Sequence, residues 1–321
     1  MISRRRFLGA TAGALAAPLL LSASAAVDGA RAIVDTHTHF YDPRRPQGVP
    51  WPAPGDALLY RQVLPPEYIA LAKPLGITGT VVVEASPWVE DNQWLLDLAE
   101  REPFLLGIVG NLDPLSPEFA THLARFTKSP RFLGLRVGGR QILTRGKEPA
   151  FLDALKLLAD SGRSLDINGP PGYLAALPAL VAAVPGLRVI ADHAGSAGDP
   201  QALTEEWRKS IAALAAVPAV MCKVSGLPEQ ARAPRGNRDG AAGGEGAPTE
   251  MEYYRPLLDA LWDAFGEKRL LFGSNWPVSN KGTSLANVVR ISREYLETKG
   301  ERACQSVFTG NARAFYRWPA K

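Results

Sequence analysis

Eight short apolar runs, each followed by a longer stretch of helical period, set the tightest limit on how this 321-residue chain can fold. The runs cover residues 32–40, 77–86, 105–114, 132–139, 164–171, 187–195, 220–227 and 269–277. They are rich in β-branched residues and nearly continuous rather than alternating, which is how strands covered on both faces read. The stretches between them carry helix punctuation. "PPEYIALAKPLG" opens on prolines and closes on Gly76, while "DNQWLLDLAERE" and "SPEFATHLARFTK" begin with cap-type residues. An even alternation that runs to eight predicts a closed (β/α)8 TIM barrel as a single domain. An open doubly wound sheet would want a Gly-rich turn after its first strand, and none is present. Two βα loops are long: "YDPRRPQGVPWPAPGDALLYRQVL" after strand one, and a Gly/Ala/Arg-rich segment after strand seven. Both belong to the C-terminal face, where barrel enzymes place their sites. The second reads either as a closing lid or as a tolerated insertion.

The first 25 residues do not belong to that pattern. "SRRRFL" places Arg4 and Arg5 ahead of an apolar run, and Ala23-Ser24-Ala25 fits a small-x-small cleavage site. This resembles a twin-arginine export signal, predicting a mature domain over 26–321 and a periplasmic location. The apolar run is shorter than a bilayer span needs, so no membrane anchor is expected after cleavage. Arg4, Arg5 and Arg6 supply three of the four net positive charges, and residues 1–25 contain no Asp or Glu. The remainder is close to neutral, which argues against nucleic acid as a partner and leaves a small molecule. The two cysteines, Cys222 and Cys304, fall in an apolar strand and a late helix and read as buried free thiols.

The chain has only four histidines. His37 and His39 sit at i and i+2 at the end of strand one, so they share a face. His193 ends strand six in "VIADHAGS", and His122 lies mid-helix, where a structural role suffices. Three imidazoles at one barrel mouth can ligate a cation such as Zn²⁺ or polarise a substrate carbonyl.

"DTHTHF", "ADHAG" and "LLFGSNWPVSN", in that order and together with "LGLR" and "CKVSGL", resemble the amidohydrolase-related hydrolases, in particular the branch acting on sugar lactones and pyrone-dicarboxylate lactones. The resemblance spans nearly the whole mature chain and implies a barrel hydrolase that opens a cyclic ester with water. It also exposes departures. Where metal-dependent members carry Lys or Glu on strand four, His on strand five and Asp on strand eight, this chain has Arg136, then Asp166 and Asn168, then Asn275. An amide cannot take a proton from water.

Two mechanisms stay open. Without metal, His37, His39, His193 and Asn275 surround the scissile carbonyl, and Arg136, Lys223 and Asn168 hold the substrate. The base is then His193 or a carboxylate, with Glu84, Asp113 and Asp166 as candidates. With metal, His37, His39 and His193 ligate one zinc whose bound water attacks. The expected cofactor is therefore none or one divalent cation. Trp88 is expected to wall the substrate, and Trp276 to pack in the helix layer. The interior face is expected for Lys223, where an ammonium needs a partner or a substrate. Alternatives to lactone hydrolysis are a metal-dependent amide hydrolase or decarboxylase, and a periplasmic binding protein that kept the pocket and lost the base.

Overall fold

The computed structural model describes residues 32–231 and 246–319. The predicted export leader, and the Gly/Ala/Arg-rich middle of the loop after strand seven, lie outside the described residues. The eight strands are β1 (Ile33–Thr38), β2 (Ile77–Val83), β3 (Leu105–Gly110), β4 (Phe132–Gly138), β5 (Ser164–Asn168), β6 (Arg188–Ala191), β7 (Val220–Val224) and β8 (Leu270–Phe272). They form one parallel sheet in chain order. Beyond the end of β8 the sheet closes on β1: Asn275 N donates to His37 O at 2.8 Å and His39 N donates to Trp276 O at 2.9 Å. The predicted (β/α)8 barrel is the fold.

The outer helices follow from capping and period. In the helix Glu205–Ala215, Thr204 accepts from Trp207 N, and Trp207, Ile211 and Leu214 recur on one face and are buried. Trp276 is fully buried against Phe40 and Tyr68, as its alternation with Asn275 requires. Among the described residues, no helix is long and apolar enough to cross a membrane. Cys222 is buried, but Cys304 is only half-buried, which corrects the expectation of two buried thiols; both are free.

The lumen holds a second apolar cluster, formed by Val34, Val81, Leu106, Leu133, Ile190, Met221 and Leu271 with Phe315, Tyr316 and Trp318. Strand side chains from around the sheet meet only inside a barrel, so the last helix, Asn311–Tyr316, inserts its apolar face against the lumen. At the opposite end the chain leaves the strands in unusual conformations. His193, Ala194 and Ser196 have φ of 51°, 52° and 55°, and Asn275 has φ of 59°. Non-glycine residues in the left-handed region carry strain, which collects at functional sites.

Candidate active site

Asp35 fixes the strand-one histidines against β8. Its Oδ1 accepts from His37 N at 3.1 Å and Ser274 N at 2.8 Å, and Tyr68 donates to its Oδ2 at 2.6 Å. One buried carboxylate thus welds the first and last strands beside the mouth, a role that sequence reasoning missed.

Below the mouth lies a closed charge cluster. Lys223 Nζ donates to Asp166 Oδ2 at 2.6 Å and pairs with Asp192 Oδ1 at 3.0 Å, and Tyr316 donates to Asp166 Oδ2 at 2.7 Å. His37 Nδ1 lies 3.4 Å from both Lys223 Nζ and Asp192 Oδ1. All five side chains are buried. Burial alone would raise the Asp192 carboxyl, but Lys223 and His37 beside it hold it below the usual carboxylate range. Burial pushes His37 well below the ordinary imidazole value, so it is neutral.

Above this layer opens a cavity of about 440 Å³ lined by His39, Trp51, Glu84, Asn111, Arg136, Asn168, His193 and Asn275. Arg136 donates through Nε to Glu84 Oε1 at 2.8 Å and through a terminal nitrogen to Glu84 O at 2.7 Å. Burial brings His193 down to about 4, so it too is neutral. Ser225 Oγ accepts from His193 N at 3.2 Å and lies 3.0 Å from His193 Nδ1. With Ser225 donating to Nδ1, the His193 proton sits on Nε2.

His39 is the informative group. Its Nδ1 lies 2.9 Å from Val83 O. A carbonyl only accepts, so Nδ1 carries the proton. Burial, reinforced by Arg136, brings His39 down to about 3, so the ring is neutral and Nε2 is a bare lone pair. That lone pair faces Asn275 Oδ1 at 3.2 Å, while Asn275 Nδ2 donates to Glu229 Oε1 at 2.6 Å. Two acceptors therefore stand side by side with no proton between them. A water on the cavity side would satisfy both with its two O–H bonds.

The structure brings together His39, His193, Asn275, Glu84, Arg136 and Asn168 as expected, and places His37 directly beneath them. Two expectations need correcting. Lys223 is interior, but it is paired with two carboxylates below the cavity and does not line it. Trp88 is 37 % exposed and does not line the cavity; Trp51, from the long loop after β1, supplies the aromatic wall instead. Asp166 is bound to Lys223, and Asp113 is exposed and accepts from Leu115 N and Gln141 Nε2, so neither is placed to act as base. His122 pairs with Glu118 on an outer helix, as a structural residue would. Glu229 is new. Its signal was one carboxylate just past strand seven, within a loop read only by composition.

A resident metal does not fit this donor set. His37 Nε2 is buried without a hydrogen-bond partner, as a ligand nitrogen would be. However, the Lys223 ammonium sits 3.4 Å from the same ring, and His39 Nε2 faces an amide rather than a carboxylate. Among the described residues, no group of three His, Cys, Asp or Glu side chains is placed to hold a metal ion.

A closed barrel whose C-terminal mouth gathers neutral imidazoles, a guanidinium and side-chain amides around one cavity is the architecture of a barrel hydrolase. The chain belongs to the amidohydrolase family, whose model matches residues 34–318. It is 30 % identical over 293 residues to an L-fucono-1,5-lactonase of Burkholderia ambifaria, covering 88 % of this chain and 95 % of that one. It is 28 % identical over 297 residues to an L-fucono-1,5-lactonase of Burkholderia multivorans, covering 88 % and 94 %. A crystal structure of an amidohydrolase from Burkholderia multivorans with bound zinc superposes with a TM-score of 0.77 at 27 % identity, covering 89 % of this chain and 99 % of that one.

Proposed function

We propose that this enzyme hydrolyses the cyclic ester of a neutral sugar acid. The carrying observation is the charge of the lining. Among the described residues Arg136 is its one cation, and Glu84 already neutralises it. The other polar groups are the amides of Asn111, Asn168 and Asn275, the Ser86 hydroxyl and two neutral imidazoles, which suit hydroxyl groups rather than carboxylates. The relatives named as L-fucono-1,5-lactonases support the same substrate class.

The chemistry follows from the placed atoms. The water shared by His39 Nε2 and Asn275 Oδ1 attacks the lactone carbonyl carbon while His39 takes its proton. The carbonyl oxygen becomes negative, and Arg136 and the Nε2–H of His193 stabilise it. The ring C–O bond then breaks. The departing oxygen takes the proton from the His39 imidazolium, and the new carboxylic acid loses its proton to solvent. The Arg4–Arg5 leader supports export in the folded state and action in the periplasm.

The test is acid release from two kinds of lactone at equal concentration. Neutral six-carbon sugar 1,5-lactones are expected to be hydrolysed with saturation, and 2-pyrone-4,6-dicarboxylate by at least about 100-fold less, because among the described residues the pocket offers no unpaired cation to either carboxylate. Preference for the dicarboxylate would overturn the charge reading.

A further inference from the structure

Glu229 lies behind Asn275 as seen from the cavity, in the single turn Leu227–Gln230 that follows β7. The turn is held in place. Gln230 Nε2 donates to His193 O at 3.1 Å and to Gly226 O at 2.8 Å. Gly226 has φ of 64°, and a Cβ there would come within 2.9 Å of the His193 side chain, so only glycine lets the chain turn this way. The turn delivers the Glu229 carboxyl to Asn275 and leaves its Oε2 buried with no hydrogen-bond partner. A buried carboxylate with one satisfied oxygen is costly. A buried carboxylic acid that donates its O–H to an amide oxygen is not.

We propose that Glu229 is a positioning residue whose proton sets which end of the Asn275 amide faces His39, and thereby covers or uncovers the base. With Glu229 ionised, Asn275 donates Nδ2 to it and turns Oδ1 toward His39. The His39 lone pair is open, and the attacking water has its two acceptors. With Glu229 protonated, its O–H must donate to an acceptor, and Asn275 Oδ1 is the group in reach. The amide turns by half a rotation and its Nδ2 donates to His39 Nε2. That bond satisfies the lone pair and excludes the water. His39 Nδ1 donates to Val83 O in both states. Asn275 is thus a relay that carries no proton of its own.

Burial pushes the Glu229 carboxyl up to about 7, against the opposing hydrogen bonds from its own backbone and Asn275. The transition therefore falls where the enzyme can use it. Among the described residues, the ionisable groups on the packed elements do not compete. Burial raises the Tyr254 phenol, which donates to Pro248 O. His193 is neutral, and Lys281 points outward to Asp56 at 2.6 Å. The sign is fixed: activity rises with pH as Glu229 loses its proton.

The test has an arm that needs no substrate. In ¹³C,¹⁵N-labelled enzyme, the Glu229 carboxyl resonance, identified by its absence in Glu229→Gln, is expected to titrate near pH 7. The Asn275 side-chain amide should shift with the same midpoint in the wild type and stay constant in Glu229→Gln. A Glu229 midpoint in the ordinary carboxylate range near 4.3 overturns the proposal, whatever the substrate. The second arm rests on the lactonase reading. With a neutral sugar 1,5-lactone, kcat/KM is expected to be roughly 30-fold lower at pH 5.5 than at pH 8.5, flat with pH in Glu229→Gln, and again pH-dependent in Glu229→Asp. A limb that persists unchanged in Glu229→Gln overturns the coupling to the base. Complete lack of lactone turnover, with the titration intact, sinks the substrate reading and leaves the switch standing.

Discussion

Lys223→Met is expected to destabilise the protein by about 3–5 kcal/mol, a drop in melting temperature on the order of 10 °C. The side chain is fully buried, and its ammonium is the direct partner of Asp166 and Asp192. Methionine fills similar volume, so the loss is electrostatic rather than a cavity. Burial would lower the ammonium, yet Asp166 and Asp192 raise it above its ordinary value, so it stays charged through neutral pH. Without it, two carboxylates share one buried layer with the Tyr316 and Ser164 hydroxyls and a neutral His37. Asp166, already raised by burial, would then be driven higher still. A group whose folded pKa exceeds its unfolded one contributes stability below the unfolded value and loses it as pH rises. The deficit of Lys223→Met is therefore expected to be larger at pH 8 than at pH 5. Thermal melts at the two pH values measure this. A variant as stable as the wild type would show that the cluster is not the electrostatic floor of the site.

His39→Ala is expected to lower kcat for a sugar lactone by about 10³-fold, within the 10²–10⁴ range for loss of a general base, while KM moves by less than about 3-fold. The argument is proton placement. His39 is the mouth imidazole whose tautomer a backbone carbonyl fixes with the lone pair inward. With Ser225 donating to its Nδ1, His193 instead presents an N–H to the cavity, so His193→Ala should cost less, on the order of 10²-fold, through lost oxyanion stabilisation. A reversed order, with His193→Ala the more severe, would move the base to His193.

The reach of the sequence follows from periodicity. Runs without alternation identified strands covered on both faces, and their count to eight identified the barrel, because both are local properties. The mouth histidines were legible for the same reason: residues at strand ends must face the C-terminal side. The interior face of Lys223 was also legible, since alternation with Cys222 and Val224 sets it. Its depth was not. Alternation says which way a side chain points, not whether Asp166 and Asp192 intercept it before the cavity. Trp51 was hidden because its position depends on how a long proline-rich loop folds over the mouth. Glu229 was hidden because one left-handed glycine, Gly226, decides where the turn after β7 carries it. The substitution of Asn for Asp on strand eight was visible, but it read as a missing base. In the structure the amide turns its oxygen toward His39 Nε2 and its Nδ2 toward the Glu229 carboxyl.

The most direct measurement is a crystal structure with a non-hydrolysable lactam analogue of a neutral sugar 1,5-lactone in the mouth. The prediction places the lactam carbonyl oxygen within hydrogen-bond distance of Arg136 and His193. It places a water on His39 Nε2 and Asn275 Oδ1, within reach of the carbonyl carbon. A carbonyl bound instead to a metal ion held by His37 and His39, or a lactam seated outside the cavity, would contradict it.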